Sequence, residues 1–207
     1  MAGFVMNKFA LFAAASLFLT ACSAPAPVEE PPLTGARIGG PFSLVNQDGQ
    51  RVTDADLKGK YSLVYFGYTY CPDVCPVDLQ HLMAGYRLFE KADPAEAAKV
   101  QPVFITVDPA RDTAENVKKF VGQFHPKLIG LTGTEDEIKT AAKAYVVQYH
   151  KVDGSTPDSY LMAHTQLAYL MGPDGKPVAL IPTDDISTPV NEGEPQKVAD
   201  ELARWVR

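Results

Sequence analysis

Residues 61–76, YSLVYFGYTYCPDVCP, decide how the rest of this 207-residue chain reads. Residues 61–68 are almost continuously apolar and rich in β-formers, the pattern of a central strand covered on both faces. The run ends in a turn containing Gly67, after which Cys71 and Cys75 arrive at the expected start of a helix. Pro76 suits a first helical turn, and Leu79, Leu82, Met83 and Tyr86 then recur at helical spacing with one buried face. On first turns, a spacing of four places both sulfurs on one side of the helix. The helix amino terminus, with its orphan N–H groups and positive dipole end, favours thiolates.

Working outward, residues 100–107, VQPVFITV, read as a second central strand. The loop 108–113 follows, with Asp112 and Glu115 in the form of a capping box. The helix they would start carries Val117, Phe120, Val121 and Phe124 as a stripe and closes at His125-Pro126. Residues 128–131 form a short strand, and residues 134–149 a helix with Ile138, Ala141, Ala142, Tyr145 and Tyr149 inward. Turn chemistry in Asp153-Gly154-Ser155 and Pro157-Asp158 makes 151–163 a loop ending at His164. Residues 165–171 and 177–181 pair as a hairpin around Gly172-Pro173-Asp174-Gly175-Lys176. Residues 183–195 are irregular, and 195–207 form a last helix burying Val198, Leu202, Trp205 and Val206. Upstream, 42–45 and 51–52 make a hairpin about Asp48-Gly49, and 54–60 a helical turn stopped by Gly59. The order is that of an α/β, thioredoxin-like fold: an N-terminal β-hairpin and a mixed central sheet flanked by helices, in one domain over 37–207.

Residues 1–21 read as a signal peptide, with Lys8 as the positive region and an apolar run over 9–19. That run is too short to span comfortably as a mature transmembrane helix. Leu19-Thr20-Ala21-Cys22 looks like a bacterial lipobox, which implies cleavage before Cys22 and lipidation of its sulfur; an uncleaved N-terminal anchor is the alternative. The proline-rich residues 22–36 then serve as a lipidated tether. The expected location is the bacterial cell envelope, anchored to a membrane and facing the periplasm. With Cys22 lipidated, Cys71 and Cys75 form no disulfide framework but a reactive pair in an oxidising compartment. A formal charge of −6, from 19 basic and 25 acidic residues, with no basic cluster, argues against nucleic acid as a partner.

Two thiolates make a soft site, suited to Cu(I) or zinc more than to magnesium or calcium, and a nitrogen donor would complete a trigonal set. Four histidines compete for that place. His81 lies six residues past Cys75, too far along the same helix. His125 and His150 each stand near an expected helix carboxyl end, where the dipole stabilises imidazolium without a metal. His164 ends the long loop and precedes the hairpin that should lie beside the cysteine strand. Residue type and spacing leave the third donor open among them, with His164 the best placed.

Residues 66–76, FGYTYCPDVCP, residues 107–113, VDPARDT, and His164-Thr165 before Tyr169-Leu170-Met171 together resemble the Sco/SenC family over roughly 37–207. The family comprises thioredoxin-like, copper-binding proteins that help assemble the copper centre of respiratory cytochrome oxidases. The resemblance implies Cys71, Cys75 and His164 as copper ligands, Cu(I) as the bound ion with Cu(II) as a second state, and the copper-bearing oxidase subunit as partner. Another periplasmic copper chaperone or a thiol reductant is a further expected partner. One departure stands out: family members commonly carry Asp before the ligand histidine, and this chain has Ala163. If that acid orients the imidazole, its absence should weaken the site, unless Asp73 or Asp108 substitutes. The segment 108–112 has a plain alternative, which is only to turn the strand and cap a helix.

The expected function is therefore copper delivery or exchange in oxidase assembly, by binding and transfer rather than turnover. The alternative is an enzyme, a thiol-disulfide oxidoreductase in which Cys71 and Cys75 reduce the oxidase copper-site cysteines. A thiol peroxidase fits poorly, because the approach to Cys71 lacks the Pro and Thr spacing of a peroxiredoxin nucleophile.

Overall fold

A computed structural model describes residues 1, 29–152, 159–184 and 193–207. The signal peptide after Met1, Cys22, the tether up to residue 28, the turns at 153–158 and much of the irregular segment 183–195 lie outside the described residues.

The fold is a single seven-stranded mixed sheet with helices against it and a separate two-stranded ribbon. The hairpin β1 (Ser43–Asn46) and β2 (Arg51–Thr53) forms one edge, and a 3-10 turn, Asp54–Leu57, follows it. At the centre lies β3 (Tyr61–Gly67), with residues 62–67 all buried. It pairs in parallel with β4 (Val100–Thr106), which pairs in parallel with β5 (Ile129–Thr132). On its other side β3 pairs antiparallel with β8 (Ala168–Met171), and β8 with β9 (Pro177–Ile181). The order β2-β1-β5-β4-β3-β8-β9 puts the cysteine strand between a parallel and an antiparallel neighbour. This is the thioredoxin-like arrangement, with the site at the carboxyl end of a central strand.

Of the helices, α1 (Val74–Ala92) buries Leu79, Leu82, Met83, Tyr86 and Phe89, each worth about 1.5–3 kcal/mol against exposure. It lies against α5 (Pro195–Trp205), whose Val198, Leu202 and Trp205 face inward. The crossing requires Gly85: a Cβ there would stand 2.5 Å from Val198 Cβ and 2.7 Å from the Pro195 carbonyl. The remaining helices are α2 (Pro94–Ala97), α3 (Ala114–Val121) and α4 (Glu135–Ala144). No helix among the described residues is long and apolar enough to cross a membrane.

Several elements differ from the sequence reading. Helix α1 starts at Val74, so Cys71 precedes it and only Cys75 is helical. Short α2 follows at once because Asp93 caps it, its carboxylate accepting from Glu96 N–H at 3.1 Å ahead of Pro94. Helix α3 is capped by Thr113, not Asp112, with Thr113 Oγ1 accepting from Asn116 N–H, and it ends before Phe124 and His125. Helix α4 ends at Ala144 rather than running to Tyr149. Val146 adopts φ +58°, Val147 N–H reaches the Ala142 carbonyl at 2.8 Å and Val146 N–H the Lys143 carbonyl at 3.2 Å. This is a Schellman stop with valine where glycine is usual. Beyond it, the expected loop is a ribbon: β6 (Tyr149–Val152) pairs antiparallel with β7 (Leu161–His164), Tyr149 opposite His164.

Candidate metal centre

Strand β3 ends at Gly67, which makes room for a sulfur there. A Cβ on Gly67 would meet Cys75 Sγ at 3.2 Å, with the Tyr65 and Phe104 rings at 3.0 and 3.1 Å. Cys75, second residue of α1, is fully buried above it. Cys71 is half-buried in the preceding turn, its N–H donating to the Tyr68 carbonyl at 3.3 Å. The two cysteines are still linked, because Cys75 N–H at the helix start donates to Cys71 Sγ at 3.4 Å. Both cysteines are free thiols.

The turn between Gly67 and Cys71 is fixed from across the sheet. Asp112, fully buried, accepts Thr69 N–H at 2.9 Å, Thr69 Oγ1–H at 2.6 Å and Thr106 Oγ1–H at 2.5 Å. Burial raises its carboxyl pKa, against the pull of the Thr106 and Thr69 bonds. Its own carbonyl accepts from Thr132 Oγ1. Beside it Arg111 donates from Nε to Asp108 Oδ2 at 2.5 Å and from Nη1 to the Tyr160 carbonyl at 2.9 Å. Its guanidinium lies 3.6 Å from the Tyr160 ring centroid and 4.9 Å from that of Tyr70. Residues 108–112 thus join the cysteine turn to the strand that carries His164.

His164 closes β7 and faces Cys75, with Nε2 at 3.2 Å from Cys75 Sγ. Its Nδ1 lies 3.0 Å from the Thr165 carbonyl, which can only accept, so Nδ1 carries the proton and Nε2 keeps its lone pair. Tyr65 and Tyr68 stand edge-on to the imidazole at 6.4 and 6.0 Å. Burial lowers the imidazole pKa, which keeps the ring neutral.

The two thiols titrate apart. Cys71 is brought down to about 5, chiefly by its hydrogen bond with Cys75, with the backbone N–H groups of Asp73 and Cys75 and the Tyr68 hydroxyl adding to it against desolvation. Cys75 is pushed far up by the bond to Cys71 and by burial. Desolvation pushes the Tyr68 phenol up to about 12. Cys75, kept as a thiol by these effects, has two acceptors beside it for its proton, Cys71 and the His164 Nε2 lone pair. A soft ion in that proton's place would meet two sulfurs and one neutral imidazole, the donor set expected for Cu(I). The array is linked pairwise: among the described residues no three His, Cys, Asp or Glu side chains are gathered closely enough, as they stand, to hold a metal ion.

The other expected donors lie elsewhere. His125 is buried against Tyr86 at 5.1 Å, its Nδ1 accepting from Lys127 N–H, and burial lowers its pKa. His150 is exposed on β6, not at a helix end, and His81 is half-buried on α1, six residues past Cys75. Asp108 is taken by Arg111 and by the Tyr160 hydroxyl at 2.6 Å, and Asp73 is exposed, so neither carboxylate serves His164. Ala163 pairs with His150, and adjacent strand residues face opposite sides. A side chain at 163 therefore projects away from the His164 ring, whose Nδ1 the Thr165 carbonyl already holds. The expectations from sequence lack Asp112 as an anchor, Tyr68 as a neighbour of the sulfurs and Arg111 as the link from the 108–112 segment to Tyr160. Only Thr69, sitting between strand and cysteine, hinted that a distant acceptor was needed.

The family model described as SCO1/SenC matches residues 30–206. Among curated proteins, the chain is 49% identical over 148 residues to the mitochondrial protein SCO1 homolog 1 of Arabidopsis thaliana, covering 71% of this chain and 43% of the relative. It is 42% identical over 140 residues to the mitochondrial SCO1 homolog of Homo sapiens, covering 67% and 46%. The chain thus spans under half the length of these relatives. Among solved structures, Bradyrhizobium japonicum ScoI with copper bound is 40% identical with a TM-score of 0.69, covering 81% of this chain and 99% of that one.

Proposed function

This chain belongs to the SCO1/SenC family, and on that premise we propose that it binds copper and delivers or exchanges it in assembling the copper centre of a respiratory cytochrome c oxidase. Cys71 Sγ, Cys75 Sγ and His164 Nε2 are the proposed donors. The observation that carries this reading is Cys75 Sγ held 3.2 Å from His164 Nε2, whose lone pair the Thr165 carbonyl keeps free by taking the Nδ1 proton, with Cys71 Sγ accepting from Cys75 N–H at 3.4 Å. Copper displaces the Cys75 proton, and Cys71, half-buried in its turn, is the third donor that completes the set. The same exposure makes Cys71 the donor an incoming thiolate of the acceptor replaces first. Cu(I) is the ion the two sulfurs favour, and Cu(II) a second state.

The oxidase subunit that carries the copper centre is the proposed acceptor and another periplasmic copper chaperone the proposed donor, with a thiol reductant as the alternative partner. Residues 37–207 form the working domain, residues 1–21 are a signal peptide, and Cys22 carries lipid that holds the tether 22–36 at a periplasm-facing membrane. Loss of both copper binding and oxidase assembly in Cys71→Ala, with the fold intact, is the expected result; a variant that retains both sinks the proposal.

A second reading is favoured by the pKa separation of the pair. A half-buried thiolate next to a buried protonated thiol is the arrangement of a reductase. Cys71 thiolate attacks a substrate disulfide, Cys75 then displaces the substrate sulfur, and two electrons pass to the substrate as Cys71–Cys75 becomes a disulfide. If His164→Ala abolishes copper binding but leaves oxidase assembly intact, this reading replaces the first.

A further inference from the structure

On the face that the β6–β7 ribbon turns toward α4, the structure holds a cleft of about 910 Å³. Its walls come from the end of β4, the second half of α4 and the ribbon. The floor is apolar, with Val107, Ala142, Val147 and Met162, and Val146 stands at the mouth, 59% exposed, in the left-handed backbone region. A β-branched residue held at φ +58° is a strained position, of the kind that gathers at binding sites.

Three features describe what would fill the cleft. Its rim is cationic: Lys139 and Lys143 lie one turn apart on α4, with His150 and Lys151 opposite on β6. In this acidic chain Lys58, Lys99, Lys118, Lys119, Lys127 and Lys176 all reach a carboxylate. Among the described residues Lys139 and Lys143 form no such pair, while Lys151 lies over the Tyr160 ring at 3.5 Å. Lys60 and Lys91 also form none, but they lie outside the cleft. Of the acids on the rim, Asp108 is already neutralised by Arg111, leaving Glu135. Finally, the consecutive residues Tyr149, His150 and Lys151 all line the cleft. A strand showing one face would present alternate residues, so β6 offers its edge, and among the described residues β6 pairs only with β7.

We propose that this cleft docks an extended segment, acidic and apolar by turns, of the protein that gives copper to or takes copper from this chain. The segment adds a strand to the β6 edge, sets its carboxylates against Lys139, Lys143 and Lys151, and seats its apolar side chains on Val147 and Met162. Assigning the segment to the copper partner rests on the function proposed above; the docking chemistry itself does not. The cleft wall is continuous with the candidate metal centre, since Met162 lies two residues before His164 on β7.

The test is amide NMR of the full chain titrated with a short blocked peptide alternating Glu or Asp with Val or Phe. Saturable shifts are expected over residues 139–152, with slowed exchange of β6 amides. Binding should fall at least tenfold in the K139E/K143E double variant and weaken with added salt. The variant should still take up copper as the parent does. Absence of saturable shifts, equal binding of a peptide carrying Lys in place of the acids, or dimerisation of the chain through this cleft would each overturn the proposal. Failure of copper binding in the parent would instead sink the functional reading and leave the peptide result standing.

Discussion

The tautomer of His164 determines what the site can hold. With Nδ1–H given to the Thr165 carbonyl at 3.0 Å, Nε2 is available to a metal, and no carboxylate is needed to orient the ring. Restoring an acid by Ala163→Asp is therefore expected to change copper affinity by less than about threefold, since that side chain leaves the opposite face of β7. A competition titration against a Cu(I) chelator measures it, and a tenfold gain would mean that residue 163 does reach the ring. The thiol pair makes a pH prediction of definite sign. Cys71 is brought down to about 5 and Cys75 is pushed up, so the reactive thiolate is present above pH 5 and is lost as pH falls through it. Iodoacetamide should label Cys71 with a midpoint near pH 5, and Cys75 far more slowly at every pH. Proton competition should weaken copper uptake below the same midpoint.

At the scale of elements, the site is held by connections that run across the sheet rather than along the chain. Asp112, at the start of α3, fixes the turn that carries Cys71 through three hydrogen bonds from Thr69 and Thr106. Asp112→Ala leaves those buried donors unmatched and should cost about 2–4 kcal/mol, read as a lower denaturant midpoint. Helix α4 stops at a strained valine, and Val146→Gly should stabilise the fold by about 1 kcal/mol, relief of the left-handed strain outweighing the added chain entropy. These two positions also mark what the sequence could not tell. Asp112 followed by Glu115 has the spacing of a helix cap, and only tertiary structure shows that Thr113 caps while Asp112 turns inward. Val146 has none of the glycine or asparagine signal of a helix stop, so the helical pattern runs on to Tyr149 in sequence and nothing there marks the start of the ribbon. By contrast β3, β4 and the buried face of α1 were legible because apolar runs and helical periodicity persist over many residues there.

Across the whole molecule, the central sheet brings together groups far apart in sequence: Cys71 and Cys75 after β3, Asp112 after β4, and His164 ahead of β8, which pairs directly with β3. The cysteine pair was legible from four residues of spacing. His164 could be singled out by its place before a strand but not by any local pattern, because its approach to Cys75 is made by strand pairing across 89 residues of sequence. The central claim is that these three side chains form one copper site. It is tested most directly by titrating the full chain with Cu(I) under reducing conditions and again after oxidation of the cysteine pair, beside Cys71→Ala, Cys75→Ala and His164→Ala. One equivalent of copper bound by the reduced parent, none by the oxidised parent, and at least a hundredfold loss of affinity in each variant are predicted. Stoichiometric binding with undiminished affinity in any one variant, or by the oxidised chain, would contradict it.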